Sequence, residues 1–347
     1  MGYFRENVEK AKAYEPGFQP KQIDVVKLNT NENPYPPSPN VMKALAEITP
    51  DKLRRYPDPL GNEFRRAAAE VNNVKPDDIM CCNGGDELLS MAFRAFCDQN
   101  RPVAYPTPTY SLYPVLANLQ NCEAIEIPFD SEFNLPPKLA GTGAALTVVC
   151  NPNAPTGSFI GVHEIASLAD ELDGVLLVDE AYVDFAEGNC ARLVRDLDNV
   201  IILRSLSKGY SLAGLRFGYA IAQPELIAGL MKVKDSYNVD AVAIAVATAA
   251  IKDQQHFKEN VEKVKRDRKE LTEQLRALNF DVPDSFANFV LAKSNYPASE
   301  IYDKLVQRSI YVRFFDVPGL SDKLRITVGT SQQNETLIFA LKEILSE

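Results

Sequence analysis

One segment combines a lysine, two serines and an arginine in a pattern that could carry covalent chemistry. The apolar run Val200–Leu203 ends in a turn that contains Ser205, Ser207 and Lys208, and Arg216 follows eight residues after the lysine. A lysine condenses with an aldehyde only as the neutral amine, which burial or a neighbouring cation favours. Hydroxyl and guanidinium groups suit phosphate oxygens. The segment could therefore hold a phosphorylated aldehyde such as pyridoxal phosphate (PLP), and an exposed loop between two strands is the alternative.

A second segment could bind an anion. The apolar strand Ile79–Cys82 is followed by Gly84, Gly85 and Asp86 and then by a helical pattern. Free backbone amides and the helix dipole attract negative charge at such a point. An ordinary helix start, capped by Asp86 and Glu87, is the alternative.

Three further polar or aromatic motifs also follow apolar strands. Tyr110 could stack on a planar ring, and Asn153 lies in a Pro-rich loop. Asp179 is the candidate partner of a protonated ring nitrogen, and Tyr182 could reach a phenolic oxygen. A packing tyrosine and a turn-forming aspartate are the alternatives for Tyr110 and Asp179.

The elements that must position these residues are short apolar strands that alternate with helical segments. Such a pattern predicts an α/β fold whose strands are mostly parallel and buried on both faces by helices. In sheets of this kind the ligand lies beyond the carboxyl ends of the strands. The five motifs should therefore meet at one edge of the sheet.

The length of 347 residues predicts more than one domain. Residues 1–40 are rich in proline and predict an N-terminal arm that lies over its own domain or a neighbouring subunit. Residues 41–232 contain the motifs and predict a large PLP-binding domain. Residues 233–347 predict a small α+β C-terminal domain. Two of its strands carry Arg313 and Arg325, each of which is either ion-paired or available to an anionic substrate.

Composition argues against several classes of partner. The 37 basic and 47 acidic residues give a net charge of −10, without a basic run that would indicate nucleic acid or an anionic membrane surface. There is no apolar run of about 18 residues and no signal-like N-terminus. Six cysteines form no CxxC pair, and only two histidines occur. We therefore expect a cytoplasmic protein with reduced cysteines and no metal site.

Taken together, the motifs resemble those of one family. The chain is similar to the fold-type I PLP-dependent aminotransferases, and within them to the histidinol-phosphate aminotransferases, along nearly its whole length. The motifs that carry the resemblance are Tyr14-Glu-Pro-Gly17, Asn29-Thr-Asn-Glu-Asn-Pro-Tyr35, Arg55-Tyr-Pro57, Gly84-Gly-Asp-Glu87, Pro108-Thr-Tyr110, Pro155-Thr-Gly157, Asp179-Glu-Ala-Tyr182, Ser205-Leu-Ser-Lys208, Ala213-Gly-Leu-Arg216 and Leu324-Arg-Ile-Thr-Val-Gly-Thr330.

The resemblance implies a PLP site. Lys208 would bond to the aldehyde, Asp179 would pair with the pyridine nitrogen, Tyr182 would contact the phenolic oxygen and Tyr110 would stack on the ring. The residues that would hold the phosphate are Gly84, Gly85, Asp86, Ser205, Ser207, Arg216 and, from the partner subunit of a homodimer with shared active sites, Tyr56.

The resemblance also implies an activity: transfer of an amino group between L-histidinol phosphate and 2-oxoglutarate in histidine biosynthesis. Arg325 would clamp the phosphate or carboxylate, with help from Arg313 and Tyr14. An aminotransferase for aromatic or other amino acids, and a PLP lyase such as a decarboxylase of phosphorylated amino acids, share most of these residues. A PLP-binding regulator without catalysis is a third alternative, which the intact Lys208 disfavours.

One position departs from the family pattern. An asparagine that contacts the phenolic oxygen usually stands immediately before Pro-Thr-Gly, whereas this chain has Ala154 there. The nearest asparagine is Asn153. We expect a small shift of the loop to let Asn153 take over the missing contact.

Overall fold

The computed structural model describes residues 2–11, 17–21 and 24–347. The strands of this part are β1 Val26–Lys27, β2 Ile79–Cys82, β3 Val103–Thr107, β4 Ala124–Pro128, β5 Leu146–Cys150, β6 Val175–Asp179, β7 Val200–Ser205, β8 Gly218–Ala222, β9 Phe289–Lys293, β10 Ile310–Tyr311, β11 Arg313–Phe314 and β12 Lys323–Thr327. The α-helices are α1 Glu6–Lys10, α2 Pro39–Ala46, α3 Pro50–Leu53, α4 Asn62–Asn72, α5 Gly85–Phe96, α6 Leu112–Gln120, α7 Val162–Glu171, α8 Pro224–Met231, α9 Ala241–Lys252, α10 Gln254–Ala277, α11 Ala298–Gln307 and α12 Ser331–Ser346. Short 3₁₀ helices occupy Pro76–Asp78, Pro137–Thr142, Val183–Phe185, Ala191–Arg195 and Ala213–Leu215.

The large domain is built on a seven-stranded sheet with the order β2-β8-β7-β6-β5-β3-β4. Neighbouring strands are parallel except at β8, which runs antiparallel to both β2 and β7. Strand β5 is buried along its whole length, as expected for a strand covered by helices on both faces. The predicted α/β class with a mostly parallel sheet is confirmed.

Two apolar clusters cover the two faces of this sheet. Successive β5 residues alternate between them: Val148 belongs to one cluster and Val149 to the other. Helices α5, α6 and α8 contribute to the cluster that contains Val148, and α4, α7 and α9 contribute to the cluster that contains Val149. The helices thus hold the strands rigidly, and the polar residues that follow each strand lie at one edge.

The small domain has its own sheet and its own core. Strands β11, β12 and β9 form an antiparallel sheet, and Arg313 of β11 lies directly opposite Arg325 of β12. Buried residues of α10, α11 and α12 pack on this sheet in a third apolar cluster. Within the described residues, no helix combines the length and the apolar character needed to span a bilayer.

Helix α9, which the predicted division at residue 233 assigns to the small domain, packs with the large sheet. The buried side chains of α9 belong to a core cluster of the large sheet, and α9 packs against α2 and α4. Among the residues of α10, Val261 is the first that is buried in the core of the small domain. An alanine-rich apolar helix does not reveal from sequence which of two cores it joins.

The N-terminal segment from residue 24 to residue 33 contacts both domains. Val26 pairs with Ile310 in a parallel two-stranded sheet, and Leu28 is buried in the small-domain core. The carbonyl of Leu28 accepts a hydrogen bond from the amide of Thr327. The side chain of Asn33 donates to the carbonyl of Lys208, in the large domain, at 3.0 Å.

A buried ion pair joins the two central strands at the edge where the motifs meet. Glu180 follows β6 and Arg204 lies near the end of β7, and Glu180 Oε2 is 2.7 Å from Arg204 Nε. Asp184 Oδ1 lies 3.8 Å from Arg204 Nη1. Burial raises the pKa of Glu180, and the guanidinium of Arg204 partly offsets that effect. The pair fixes the positions from which Asp179 and Ser205 enter the site.

Replacing Glu180 by alanine should lower the free energy of unfolding by about 3–5 kcal/mol, because the substitution leaves the guanidinium of Arg204 with less compensation in the interior. Replacing Glu180 by glutamine together with Arg204 by methionine should recover part of the loss. Denaturant unfolding would measure both effects. The exposed Glu171→Ala is the control, with an expected change below about 0.5 kcal/mol. A Glu180→Ala effect no larger than the control would contradict a structural role for the pair.

Candidate active site

A cavity of about 660 Å³ opens at the carboxyl ends of the central strands, between the two domains and the N-terminal segment. Eleven of the residues predicted from sequence line it. They are Gly85, Asp86, Tyr110, Asp179, Tyr182, Ser205, Ser207, Lys208, Arg216, Arg313 and Arg325. Residues separated by up to 240 positions in sequence therefore meet at one site, as expected for a parallel sheet.

Lys208 stands in the wall of this cavity. Its Nζ is 3.4 Å from the carbonyl oxygen of Thr30 and 5.5 Å from the centre of the Tyr182 ring. Burial and the positive charge of Arg325 lower the pKa of Lys208 to about 8. A substantial fraction of the amine is therefore neutral near physiological pH, which is the form that attacks an aldehyde.

Asp179 ends β6 with a carboxylate that is almost fully buried. The hydroxyl of Tyr113 donates to its Oδ2 at 2.9 Å, and the amide of Ala181 donates to its Oδ1 at 3.1 Å. Burial raises the pKa of Asp179 to about 6, although these hydrogen bonds lower it. No lysine, arginine or histidine within the described residues forms an ion pair with this carboxylate. A bound cation would therefore be strongly favoured here.

Tyr182 follows Asp179 by three residues and presents its hydroxyl to the cavity wall. The side-chain amide of Asn31 donates to this hydroxyl at 3.0 Å. Burial raises the pKa of Tyr182 to about 12, although Arg325 and the hydrogen bond from Asn31 lower it. The phenol therefore keeps its proton at neutral pH and can act as a donor.

The other end of the cavity has the features of a phosphate site. Helix α5 begins at Gly85, so its free amides face the cavity together with Ser207 and Arg216. Asp86 holds Arg216 through an ion pair of 3.1 Å. A Cβ atom on Gly84, whose φ is +82°, would lie 2.7 Å from Arg216 Nη2. Only glycine therefore lets the guanidinium lie against the start of the helix.

Arg313 and Arg325 form the small-domain side of the cavity. They are cross-strand neighbours in β11 and β12, and each guanidinium lies over the ring of Phe315, at 5.2 and 5.3 Å from its centre. Arg325 also donates to the carbonyl of Asn29 at 3.2 Å. Two like charges held side by side repel each other, so an anion bound between them would be stabilised.

Not every predicted site residue reaches the cavity. Asn153 is buried, and its amide donates to the hydroxyl of Thr156 in its own loop at 2.9 Å and to the carbonyl of Pro108, in the loop after β3, at 3.0 Å. Its oxygen accepts from Thr109. The structure differs from the expectation that Asn153 takes over the missing family contact: Ala154, and not Asn153, lines the cavity, because Pro108, Thr109 and Thr156 use the whole Asn153 amide.

Two other predicted residues of the described chain, Gly84 and Tyr56, also lie outside the cavity lining. Gly84 lies behind the cavity lining, in contact with the guanidinium of Arg216. Tyr56 is 81% exposed and stacks on Tyr237 with ring centres 4.3 Å apart. Tyr14 lies outside the described residues. No three His, Cys, Asp or Glu side chains of the described chain converge as a metal site.

Sequence reasoning missed two residues that contact the central groups. Tyr113 bonds to Asp179 from α6, and Asn31 bonds to Tyr182 from the N-terminal segment. The signal for Tyr113 was present, since it follows Tyr110 by three residues and so falls one helical turn further on. Asn31 lies in a polar stretch rich in asparagine, and the sequence of that stretch does not predict which side chain faces the cavity.

The comparison with known proteins agrees with this geometry. Residues 23–341 match the family model of aminotransferases of class I and II. Histidinol-phosphate aminotransferase 1 of Trichormus variabilis is 49% identical over 346 residues, which are 99% of each chain. The histidinol-phosphate aminotransferase of Citrifermentans bemidjiense is 44% identical over 98% of each chain. The chain belongs to the histidinol-phosphate aminotransferase family. The predicted family is thereby confirmed.

Solved structures share this fold. The histidinol-phosphate aminotransferase of Sinorhizobium meliloti, crystallised with pyridoxal-5′-phosphate, superposes with a TM-score of 0.91 at 25% identity, over 100% of this chain and 98% of that one. An L-threonine-O-3-phosphate decarboxylase of Porphyromonas gingivalis superposes with a TM-score of 0.83 at 23% identity, over 93% of this chain and 100% of that one. The fold therefore does not by itself separate a transaminase from a lyase.

The lowered pKa of Lys208 predicts how the cofactor-free protein reacts with an aldehyde. The rate of its reaction with PLP should rise with pH and reach half its maximum near pH 8, because only the neutral amine reacts. Arg325→Met should move this midpoint to higher pH, since it removes a positive charge that lowers the pKa of Lys208. The absorbance change on mixing measures the rate.

Arg313→Met is the matched control for that measurement. It also removes a cation from the cavity wall, but Arg313 is not among the main causes of the Lys208 shift. The control should therefore move the midpoint less than Arg325→Met does. A wild-type midpoint near the ordinary lysine value of about 10.4 would contradict the assignment.

Proposed function

We propose that the protein is a PLP-dependent aminotransferase that transfers an amino group between L-histidinol phosphate and 2-oxoglutarate, a step of histidine biosynthesis. The observation that carries the proposal is the single cavity that contains Lys208, the buried carboxylate of Asp179 and the two neighbouring cations Arg313 and Arg325. The near-full-length similarity to enzymes of that name supports the choice of substrates.

The residues present fit the cofactor. Asp179 offers a buried negative charge that suits a protonated pyridine nitrogen, and Lys208 offers an amine for the aldehyde. Tyr110 and Tyr182 supply an aromatic face and a phenolic donor. The residues that would hold the phosphate are Gly85 and Asp86 at the start of α5, Ser205, Ser207 and Arg216, with Gly84 making room for the guanidinium. When bound, PLP supplies an aldehyde that links to amines and a ring that draws electron density from the substrate.

The protein's own groups account for the proton transfers. Lys208 Nζ, neutral above about pH 8, can accept the proton from the substrate carbon that bears the amine, and it can deliver that proton to the neighbouring acceptor carbon. Asp179 would keep a proton on the ring nitrogen of the bound cofactor, because its buried negative charge stabilises a cation beside it. Tyr113 is a positioning residue that holds this carboxylate in place.

Anion recognition explains how one cavity can accept both donors. Arg325, with Arg313 opposite, would bind the phosphate of histidinol phosphate in one half-reaction and a carboxylate of glutamate in the other. Tyr14 could assist from the N-terminal arm. An aminotransferase for other amino acids would need the same cofactor residues, and the neighbouring pair of arginines favours a dianionic phosphate over an uncharged side chain.

The proposal predicts that each donor alone converts the cofactor. Addition of L-histidinol phosphate or of L-glutamate, without a keto acid, should abolish the visible band of the holoenzyme, because each donor passes its amine to the cofactor. Lys208→Ala should slow this conversion at least about 100-fold, since it removes the base that moves the proton. Loss of the band with glutamate but not with histidinol phosphate would place the substrate elsewhere. Persistence with both would favour a lyase or a regulator.

We also propose a homodimer with shared active sites. Apolar side chains are exposed on α2, on α3 and in the loop beyond: Met42 and Leu53 are each 61% exposed, and Tyr56 is 81% exposed. Patches of this kind are typical of protein interfaces. Tyr56 would then reach the phosphate of the partner's cofactor. A cytoplasmic location is proposed from the six free cysteines, five of which are buried.

A mixed-dimer experiment would test the shared site. Tyr56→Ala should weaken cofactor binding by about five- to tenfold, the equivalent of one lost hydrogen bond. In dimers that combine one Lys208→Ala subunit with one Tyr56→Ala subunit, one site has both an intact lysine and an intact tyrosine. That site should recover wild-type affinity, as measured by cofactor titration. Lack of recovery in the mixed dimer, or a monomeric mass in solution, would contradict the proposal.

A further inference from the structure

The cavity wall beside Tyr182 lacks the side-chain amide that the family pattern places at position 154. Ala154 lines the cavity with a methyl group, and the amide of Asn153 is committed to Thr156 in its own loop and to Pro108 in the loop after β3. The loop that precedes Gly157 therefore supplies no side-chain amide to the phenolic oxygen of a bound cofactor. A side-chain amide that contacts Tyr182 comes instead from a different part of the chain.

That donor is Asn31, in the N-terminal segment. Its Nδ2 lies 3.0 Å from the hydroxyl oxygen of Tyr182, and the residue is 1% exposed while still lining the cavity. Its φ of 55° lies in the left-handed region, where asparagine is tolerated better than most residues. The backbone therefore adopts an uncommon conformation at the point where this side chain turns toward Tyr182.

The orientation of the Asn31 amide is fixed by Thr327. The hydroxyl of Thr327 accepts a hydrogen bond from the backbone amide of Asn31 at 3.0 Å and donates to Asn31 Oδ1 at 3.1 Å. Asn288 donates to the backbone carbonyl of Asn31 at 3.0 Å. Because the oxygen of the amide faces Thr327, the nitrogen must face Tyr182.

A hydroxyl group has one proton. Since Tyr182 accepts a hydrogen bond from Asn31, its own proton is directed away from Asn31 and is available to an acceptor in the cavity. Burial keeps this proton on the phenol at neutral pH by raising the pKa of Tyr182 to about 12. The direction of donation is thus set by a residue that lies more than 150 positions away in sequence.

We infer that Asn31 is a positioning residue for Tyr182: it fixes the tyrosine hydroxyl as a donor toward the phenolic oxygen of the bound cofactor. In this way the N-terminal segment makes up for the missing side-chain amide at position 154. The inference rests on the proposed function, because it concerns PLP, but it does not depend on which amino donor the enzyme uses.

The inference can be tested on the holoenzyme without any amino substrate. The probe is PLP itself, and the readout is the pKa of the nitrogen that joins Lys208 to the cofactor, obtained from the visible absorbance as a function of pH. Negative charge on the phenolic oxygen favours a proton on this nitrogen, and a donor to that oxygen withdraws the charge. Asn31→Ala should therefore raise this pKa by about half to one unit, because Tyr182 becomes a less well oriented donor.

Two further variants separate positioning from a general structural effect. In a Tyr182→Phe background, Asn31→Ala should produce no additional rise, since the group through which it acts is absent. Asn153→Ala should leave the pKa of this nitrogen unchanged, even where it lowers stability, because its amide bonds to Pro108, Thr109 and Thr156 and not to Tyr182 or Asn31. Should Asn31→Ala not fold, Thr327→Val tests the same idea, as it leaves the Asn31 amide free to turn.

The outcomes are distinct. An unchanged pKa in an Asn31→Ala or Thr327→Val protein that still binds PLP would overturn the inference and leave the proposed function intact. An equal rise with and without Tyr182 would also overturn it. Failure of the wild-type protein to bind PLP would instead overturn the proposed function. A rise that depends on Tyr182, without a change in Asn153→Ala, would establish the positioning role.

Discussion

The site depends on the burial of one negative charge. Asp179 ends a fully enclosed strand, where burial raises the pKa of its carboxylate to about 6, and its stabilising contacts are two hydrogen bonds from Tyr113 and Ala181. Holding such a charge away from water costs free energy, and a cation bound in the cavity would offset that cost. The surrounding structure serves this arrangement: the ion pair of Glu180 with Arg204 fixes the strand end, and α6 brings Tyr113 beneath it.

On the other side of the cavity, the environment of Lys208 disfavours a positive charge. Lys208 has to lose its proton to react, and burial together with the charge of Arg325 makes that loss easier. The same guanidinium faces the place where an anionic substrate would bind. An anion bound at Arg325 would reduce the effect of its positive charge and so raise the basicity of Lys208. Binding of an anion at Arg325 would thereby be coupled to the pKa of Lys208.

The fold and the central residues of the site were accessible from sequence because the physics that specifies them is local. Short apolar strands that alternate with helices require a buried parallel sheet, and the residues after each strand must then meet, as Asp179, Ser207 and Lys208 do. Contacts that depend on side-chain direction were not accessible. Asn153 and Asn31 are both asparagines in proline-containing stretches, and only the packing of Thr327 and of the loop decides which one faces the cavity. The core that α9 joins was inaccessible from sequence for a similar reason, since its composition suits either core.

The pairing of the N-terminal segment with the last strand of the small domain also affects how the protein is made. The carbonyl of Leu28 accepts its hydrogen bond from Thr327, and Asn31 is held by the hydroxyl of the same threonine. A ribosome completes the lysine at position 208 long before it reaches Thr327, so a nascent chain can contain Asp179, Tyr182 and Lys208 and still lack an assembled cavity. Loop closure over nearly the whole chain makes this the slowest kind of contact to form. The order of synthesis therefore delays assembly of the site until most of the polypeptide has left the ribosome.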